Sequence, residues 1–207
     1  MIGLARLRGD SMSSTNKHKP NLDALLRKTC GLLNRWKMPY LLIGGLAVGV
    51  VGEARMTHDV DVIVAIPLAA LATFASRARA VGFVVAKGSL EEAAVTGALR
   101  LTWSGLHVDV IFASTEFERS AFSRRRRVQL AGRQTCVPTP EDLILLKLVP
   151  GRPKDISDVE SILLRHRGKL DLSYLERWAQ ALSDEMEDVK IRETLQRLLK
   201  ETETRSS

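Results

Sequence analysis

The chain has 207 residues, of which 45% are apolar and 27% are charged, and its formal net charge is +7. This balance describes a globular protein rather than a disordered one, and the length allows one sizeable core or a domain with a smaller appendage. The positive charge favours a polyanionic partner such as nucleic acid or a nucleotide, but it carries no information about the fold.

The sequence shows no sign of a membrane or secretory protein. Its start lacks the apolar segment of a signal peptide, and the longest apolar stretches, at 41–52 and 62–75, are too short to span a bilayer. Cys30 and Cys136 match no metal-ligand spacing, so we expect reduced thiols. The sequence therefore predicts a cytoplasmic protein without a membrane partner.

Helix and strand patterns alternate through the first two thirds of the chain, after a polar and basic segment at residues 1–20 that we expect to be a disordered arm. The expected strands are 40–45, 59–65, 82–86, 98–103, 107–113, 127–130 and 134–137. The expected helices are 21–38, 46–54, 67–80 and 115–123. From residue 139 onward every pattern is helical, with helices expected at 139–149, 153–167, 172–182 and a last one ending near Thr202.

This order of elements predicts an α+β fold, in which a mixed β-sheet is flanked by helices and followed by a C-terminal helical region. The change in composition places the boundary at residue 138. Residues 21–138 are then the core domain, and residues 139–207 are a helical region packed on it. We expect the two parts to share one hydrophobic core.

Two of the expected strands carry an aspartate inside an apolar, β-branched run, since VDVI occurs in both THDVDVIVA and LHVDVIFA. Side chains on a strand alternate between its faces, so Asp59 and Asp61 are expected to point the same way. If the strands pair, Asp109 joins them, and three clustered carboxylates repel one another unless divalent cations such as Mg²⁺ neutralise them. The alternative is a set of strand-end aspartates facing solvent, one of them paired with Arg55.

A glycine pair precedes the first of these strands, in the run GGLAVGVVGEARMTHDVD. Gly44 and Gly45 allow backbone N–H groups to approach a phosphate, and the N-terminus of the following helix adds partial positive charge. A glycine pair alone is a weak signal, and the Asp-x-Asp that follows strengthens it. Arg55 is expected either to meet phosphate oxygens or to pair with the aspartates.

Further charges that could serve the same site lie beyond residue 138. Lys147 is the only charge in LILLKLV and must either reach solvent or face an anion, and beside a nucleotide we expect a phosphate. In RPKDISDV, Asp155 and Asp158 share one helix face, and the helix dipole accounts for Asp158. Arg152 either contacts a substrate or remains solvated.

The pattern hGG, followed by R-x-T-x-DVDV and a later strand with one Asp, resembles the DNA-polymerase-β-like nucleotidyltransferase superfamily, whose signature is G-[GS] and then Asp-x-[Asp/Glu]. The closer resemblance is to small bacterial abortive-infection-type nucleotidyltransferase toxins of toxin–antitoxin systems, through residues 44–47, residues 55–61 and the helical run PEDLILLKLVPGRPKDISDV. It covers roughly residues 22–180. Gly45 stands where many members have a serine, which removes a hydroxyl contact to phosphate.

The resemblance implies a minimal nucleotidyltransferase fold and transfer of a nucleoside monophosphate from an NTP to an acceptor hydroxyl. The residues implied to bind Mg²⁺ or Mn²⁺ are Asp59, Asp61 and Asp109. The residues implied to bind the nucleotide are Gly44, Gly45, Arg55, Thr57, Lys147 and Arg152. The residues implied to be catalytic are Asp59, Asp61, Asp109, Lys147 and Asp155.

The positive charge and the resemblance favour RNA, such as tRNA, as acceptor, while a protein hydroxyl and a small antibiotic are alternatives. The resemblance also implies a toxin whose partner is a cognate antitoxin protein. A different class of function is a nucleotide- or nucleic-acid-binding regulatory protein, antitoxin-like and without catalysis. The arginine-rich run SRRRR, residues 123–127, either holds an RNA backbone or ends a solvated helix.

Overall fold

The computed structural model describes residues 21–204, so the predicted arm at residues 1–20 lies outside the described residues. The helices are α1 (Leu22–Arg35), α2 (Gly44–Val51), α3 (Leu71–Ala80), α4 (Ser89–Thr96), α5 (Glu116–Arg124), α6 (Pro140–Leu148), α7 (Pro153–Arg165), α8 (Leu172–Glu185) and α9 (Lys190–Thr204). The strands are β1 (Tyr40–Ile43), β2 (Val60–Val64), β3 (Ala98–Trp103), β4 (Leu106–Phe112), β5 (Arg126–Leu130) and β6 (Arg133–Val137).

The main sheet is mixed, with the strand order β1-β2-β4-β3, and β5 pairs with β6 separately. The central strands β2 and β4 are parallel, whereas β1 and β3 pair antiparallel to them at the edges. The period-two alternation places Val62 and Val110 in the main core and Ile63 and Ile111 on the opposite face, where α5 packs. The predicted α+β fold, a mixed sheet flanked by helices, is therefore confirmed.

The main hydrophobic core draws side chains from both halves of the chain. It includes Leu25 of α1, Val110 of β4, Leu145 of α6, Val159 of α7 and Leu195 of α9, each at most 1% exposed. Burying one such side chain contributes roughly 1.5–3 kcal/mol. Within residues 21–204, the helices are too short or too polar for any of them to cross a lipid bilayer.

Two details of the predicted secondary structure are wrong. Residues 82–86 are not a strand, because Val84 makes only a single bridge to Thr102 before the chain turns away. Residues 89–96 form the helix α4, which the pattern did not predict. Only Ala93 of this helix is buried, so the sequence carries no apolar stripe to mark it.

Candidate active site

Asp61 and Asp109 lie side by side at the centre of the main sheet. They are register partners on β2 and β4, which confirms the predicted pairing of these strands. Asp59 lies just outside β2, which begins at Val60. Burial, and then the charge of Asp109, raises the pKa of Asp61, and the charge of Lys147 only partly opposes this. The carboxylates therefore form a partly buried negative patch.

Asp109 has a partner that the sequence analysis missed. Arg100 donates from Nε to Oδ1 of Asp109 at 2.7 Å and from Nη2 to Oδ2 at 2.8 Å. The two residues face each other in the β3–β4 hairpin, whose turn at Ser104 and Gly105 sets the register and could have revealed the pair. The side chains are 61% and 33% exposed, so the pair stabilises the fold little and leaves Asp109 accessible to other cations.

Gly44 and Gly45 begin α2 and pack directly against other residues of the site. The φ of Gly44 is 63°, in the left-handed region that favours glycine. A Cβ on Gly44 would overlap the carboxylate of Asp61, and a Cβ on Gly45 would lie 2.8 Å from the Cβ of Thr57. No described side chain caps α2, so its first N–H groups are free to face an anion. The glycines therefore allow this helix end to approach Asp61 closely.

Lys147 is buried near the end of α6 and does not reach solvent. Its Nζ lies 2.9 Å from Oδ1 of Asp155 and 2.9 Å from Oδ2 of Asp158, and its side chain is 7% exposed. Arg152 donates from Nε to Oδ2 of Asp155 at 2.5 Å. The nearest anions to Lys147 are therefore carboxylates of α7, and a bound phosphate would join a cluster that already contains them.

Asp158 is not explained by the helix dipole, so that interpretation is wrong. It is buried and accepts hydrogen bonds from Arg55, with Nε 2.6 Å from Oδ1 and Nη2 2.9 Å from Oδ2. Arg55 therefore pairs with Asp158, and not with Asp59 or Asp61. Burial acts to raise the pKa of Asp158, but hydrogen bonds from Arg55 and Lys147 outweigh it and hold that pKa below its ordinary value.

One face of α7 holds the connection between α2 and β2. Three side chains of α7 or its C-terminal cap contact the backbone where α2 ends and this connection begins. Ser161 accepts the N–H of Glu53, Arg165 donates to the carbonyl of Gly52, and His166 contacts the carbonyl of Val51. A Cβ on Gly52 would lie 2.6 Å from Oγ of Ser161, so a larger residue would push α7 away. These contacts join residues far apart in sequence, and no local pattern marks them.

The residues predicted for the site line one cavity of about 1020 Å³. They are Gly44, Gly45, Arg55, Thr57, Asp59, Asp61, Asp109, Lys147, Arg152 and Asp155. The volume is close to the upper limit of about 1,000 Å³ that is usual for small-molecule sites. The structure brings these residues together, and their individual roles remain predictions.

The carboxylates fit a divalent cation that is shared with phosphate. Within residues 21–204, no group of three or more His, Cys, Asp or Glu side chains is placed to hold a metal ion by itself. Asp61 and Asp109 nevertheless offer hard oxygen ligands, and a bound cation would stabilise the charged form of Asp61, whose pKa is raised first by burial and then by the charge of Asp109. Mg²⁺ is commonly bound by one or two carboxylates together with substrate phosphates, which matches this donor set.

The arginine-rich run at residues 123–127 divides between two environments. Arg124 turns inward, where its Nη2 lies 3.3 Å from Oε2 of Glu141 and its Nε lies 3.3 Å from Oδ2 of Asp142. The three arginines that follow it are exposed at the start of β5. Only this exposed part is available to an RNA backbone.

The fold is that of a nucleotidyltransferase. Residues 21–205 match the family described as nucleotidyltransferase of unknown function (DUF6036), and the chain belongs to this family. It is therefore an enzyme that transfers a nucleoside monophosphate from an NTP, and the non-catalytic alternative is not supported. No curated protein matches the sequence.

Two solved structures of the antibiotic-resistance protein ANT(2'')-Ia resemble the chain in fold. The crystal structure in complex with adenylyl-2''-tobramycin is 14% identical, covers 79% of this chain and 98% of that chain, and has a TM-score of 0.55. The solution structure, described as that of an antibiotic-resistance factor, is 12% identical, covers 80% of this chain and 97% of that chain, and has a TM-score of 0.53. At these identities the similarity concerns the fold alone.

Proposed function

We propose that this enzyme transfers the nucleoside monophosphate to a hydroxyl of RNA, such as tRNA, with a divalent cation. The acceptor oxygen forms a bond to the α-phosphorus while the bond from that phosphorus to the bridging oxygen breaks, and pyrophosphate leaves. The observation that carries the proposal is the in-register pair Asp61 and Asp109 beside the free N-terminus of α2. This arrangement places negative ligands next to an anion-binding helix end.

The three acids have distinct proposed roles. Asp59, Asp61 and Asp109 would hold Mg²⁺ or Mn²⁺, which when bound neutralises charge on the phosphates and favours the attack. Asp109 lies on β4, which follows β2 in the strand order, and it would accept the proton of the acceptor hydroxyl. Its present partner Arg100 would then leave the carboxylate.

The cationic residues and the glycines would bind the triphosphate. The N–H groups at Gly44 and Gly45 would contact the β- and γ-phosphates, with Thr57 packed beneath them. Arg55, Lys147 and Arg152 line the same cavity and would stabilise the charge of the departing pyrophosphate. Asp155 would act by holding Lys147 and Arg152, since both donate to its buried carboxylate.

RNA is favoured as the acceptor by the net charge and by the exposed arginines at 125–127. The motif resemblance to abortive-infection toxins supports a role as the toxin of a pair, with a cognate antitoxin protein as partner. For a toxin, we expect growth to stop when the wild-type protein is expressed and to continue when Asp61→Asn is expressed. Continued growth with active wild-type enzyme would contradict that role without affecting the chemistry.

The function is tested with each of the four α-labelled NTPs, Mg²⁺ and a cell extract, by asking which class of molecule becomes labelled. We expect label in RNA with wild-type protein and its loss with Asp61→Asn. Asp23→Asn, an exposed acid in the first turn of α1, serves as the matched control and should label like wild type. Label in a small molecule or a protein would refute the acceptor, and undiminished labelling by folded Asp61→Asn would refute the site.

A further inference from the structure

We propose that Asp158 is a positioning residue that aims Arg55 and Lys147 at the phosphates of the bound nucleotide, an inference that rests on the proposed function. Asp158 itself does not line the cavity, whereas both of its cationic partners do. Its carboxylate receives Arg55 and Lys147 at 2.6–2.9 Å. Among the described residues, Asp158 is therefore the one carboxylate that binds both Arg55, in the connection before β2, and Lys147, near the end of α6.

The contact with Arg55 leaves part of the guanidinium available. Nε and Nη2 donate to Asp158, and Nη1 donates to the carbonyl of Met56 at 3.3 Å. A guanidinium has five N–H donors, so two remain for a phosphate, and the bidentate contact fixes the plane in which they point. The side chain of Arg55 is 35% exposed although Asp158 is 2% exposed, so the unused edge is the accessible one.

Like Arg55, Lys147 has some donors that carboxylates use and one that remains for a phosphate. An ammonium group has three donors, and two of them are used by Asp155 and Asp158. The third remains for an anion in the cavity that Lys147 lines. Without Asp158, Lys147 would keep Asp155 as a partner, whereas Arg55 would lose its only described carboxylate partner. Arg55 should therefore depend on Asp158 more than Lys147 does.

The connection that carries Arg55 is held by the same helix. The backbone contacts of Ser161, Arg165 and His166 with residues 51–53 lie on the face of α7 that also presents Asp158. The backbone is thus fixed independently of Asp158, and removing its charge should release the Arg55 side chain without unfolding the connection. This separates positioning from a purely structural role.

Pyrophosphate with Mg²⁺ is a suitable probe because it represents the leaving group and does not depend on the nucleobase. Asp158→Asn cannot maintain both Arg55 contacts, since its amide presents N–H groups toward cationic donors. We expect pyrophosphate affinity of the full chain to fall about tenfold, which is the loss of one charged hydrogen bond. Calorimetric titration measures this directly, without requiring transfer.

The sign of the change separates positioning from simple electrostatics. Removing a negative charge near a polyanion strengthens binding if Asp158 acts only through its charge. Weaker binding therefore supports positioning, and unchanged or tighter binding overturns it. If Asp158 acts through Arg55, the double variant of Asp158→Asn and Arg55→Ala should bind pyrophosphate within about twofold of Arg55→Ala alone. Fully additive losses of affinity would overturn the route through Arg55.

Asp142→Asn is the matched control, because Asp142 is also fully buried and also contacts an arginine, but lies outside the cavity. It should lower thermal stability like Asp158→Asn and leave pyrophosphate affinity unchanged. An equal loss of affinity in both variants would overturn the proposal. If the wild-type protein labels RNA and Asp158→Asn keeps its pyrophosphate affinity, only the positioning role is refuted. If the wild-type protein binds pyrophosphate but labels nothing, only the proposed function is refuted.

Discussion

Two clusters of buried charge lie at opposite ends of α6, and they differ in which sign is in excess. At the N-terminal end, the carboxylates of Glu141 and Asp142 share one cation, Arg124. At the C-terminal end, the two carboxylates of α7 have three cationic partners, one of which is Lys147. We refer to them as the Arg124 cluster and the Lys147 cluster.

The Arg124 cluster is closed by neutral groups. Tyr174 donates to Oδ1 of Asp142 at 2.5 Å, Thr139 donates to Oδ2 at 2.7 Å, and burial, then Asp142, raises the pKa of Tyr174 to about 12. In the Lys147 cluster, by contrast, Arg55 keeps unused donors on the cavity side. The comparison teaches that a buried charge does not by itself mark a site. In the Lys147 cluster the cations outnumber the carboxylates and line the cavity, and the proposed function depends on this arrangement.

Lys147→Met should have the largest effect, on both stability and function. It leaves two buried carboxylates with fewer cations, and breaking such a pair costs roughly 3–5 kcal/mol. We also expect loss of nucleotide transfer and of pyrophosphate binding. Urea unfolding and the labelling assay measure the two effects, and a stable, active variant would remove the basis for treating this cluster as the site.

Arg124→Met makes the same replacement in the other cluster. Asp142 keeps its bonds to Tyr174 and Thr139, so the expected loss is smaller, about 1.5–3 kcal/mol for hydrogen bonds to charged groups. Transfer per folded molecule should equal that of wild type, since Arg124 does not line the cavity. Reduced transfer by folded Arg124→Met would mean that the two clusters are not functionally distinct.

Acid should weaken the Lys147 cluster gradually. Burial opposes ionisation of Asp155 and Asp158, but their cationic partners hold the pKa of each below its ordinary value. The folded state then binds fewer protons than the unfolded state, so this stability is complete above the ordinary carboxyl pKa of about 3.9 and is lost as the pH falls through the lowered values. Unfolding free energies measured in this range should fall less steeply for Asp158→Asn, and parallel curves would contradict the assignment.

Arg100→Gln should have the smallest effect on stability, within about 0.5 kcal/mol, because Arg100 and Asp109 form an exposed pair. Affinity for Mn²⁺ should rise, since a competing cation has been removed from Asp109. Magnetic-resonance titration of free Mn²⁺ measures this without catalysis. Lower affinity would show that Arg100 supports the acid patch instead of competing for it.

The parts of the site that follow from strand periodicity were predictable. Alternation, together with the assumption that the two strands pair, predicts that Asp61 and Asp109 lie close together, and the register of β2 with β4 makes them partners. The glycine pair and the later charges were found through motif spacing, and the structure places them on the same cavity. The carboxylate cluster and the glycine turn needed only local patterns and one assumption about pairing, whereas the roles of Thr57, Arg152 and Asp155 came from the family resemblance.

The contacts that sequence reasoning missed depend on long-range packing. Asp158 meets Arg55 across 103 positions, and the helix dipole was accepted as its explanation although only Asp155 lies in the first turn of α7. Arg100 was missed because its partner depends on hairpin register, which in turn depends on the turn at Ser104 and Gly105. Helix α4 was missed because it buries almost nothing.

The contacts of α7 with the segment before β2 join residues that are synthesised at different times. Asp109 is the last acid of the patch and precedes Asp158 by 49 positions, so all three acids leave the ribosome before the helix that secures Arg55. A nascent chain of that intermediate length carries the carboxylates without a fixed Arg55. Premature termination before α7 would therefore release a chain in which Arg55 lacks its carboxylate partner.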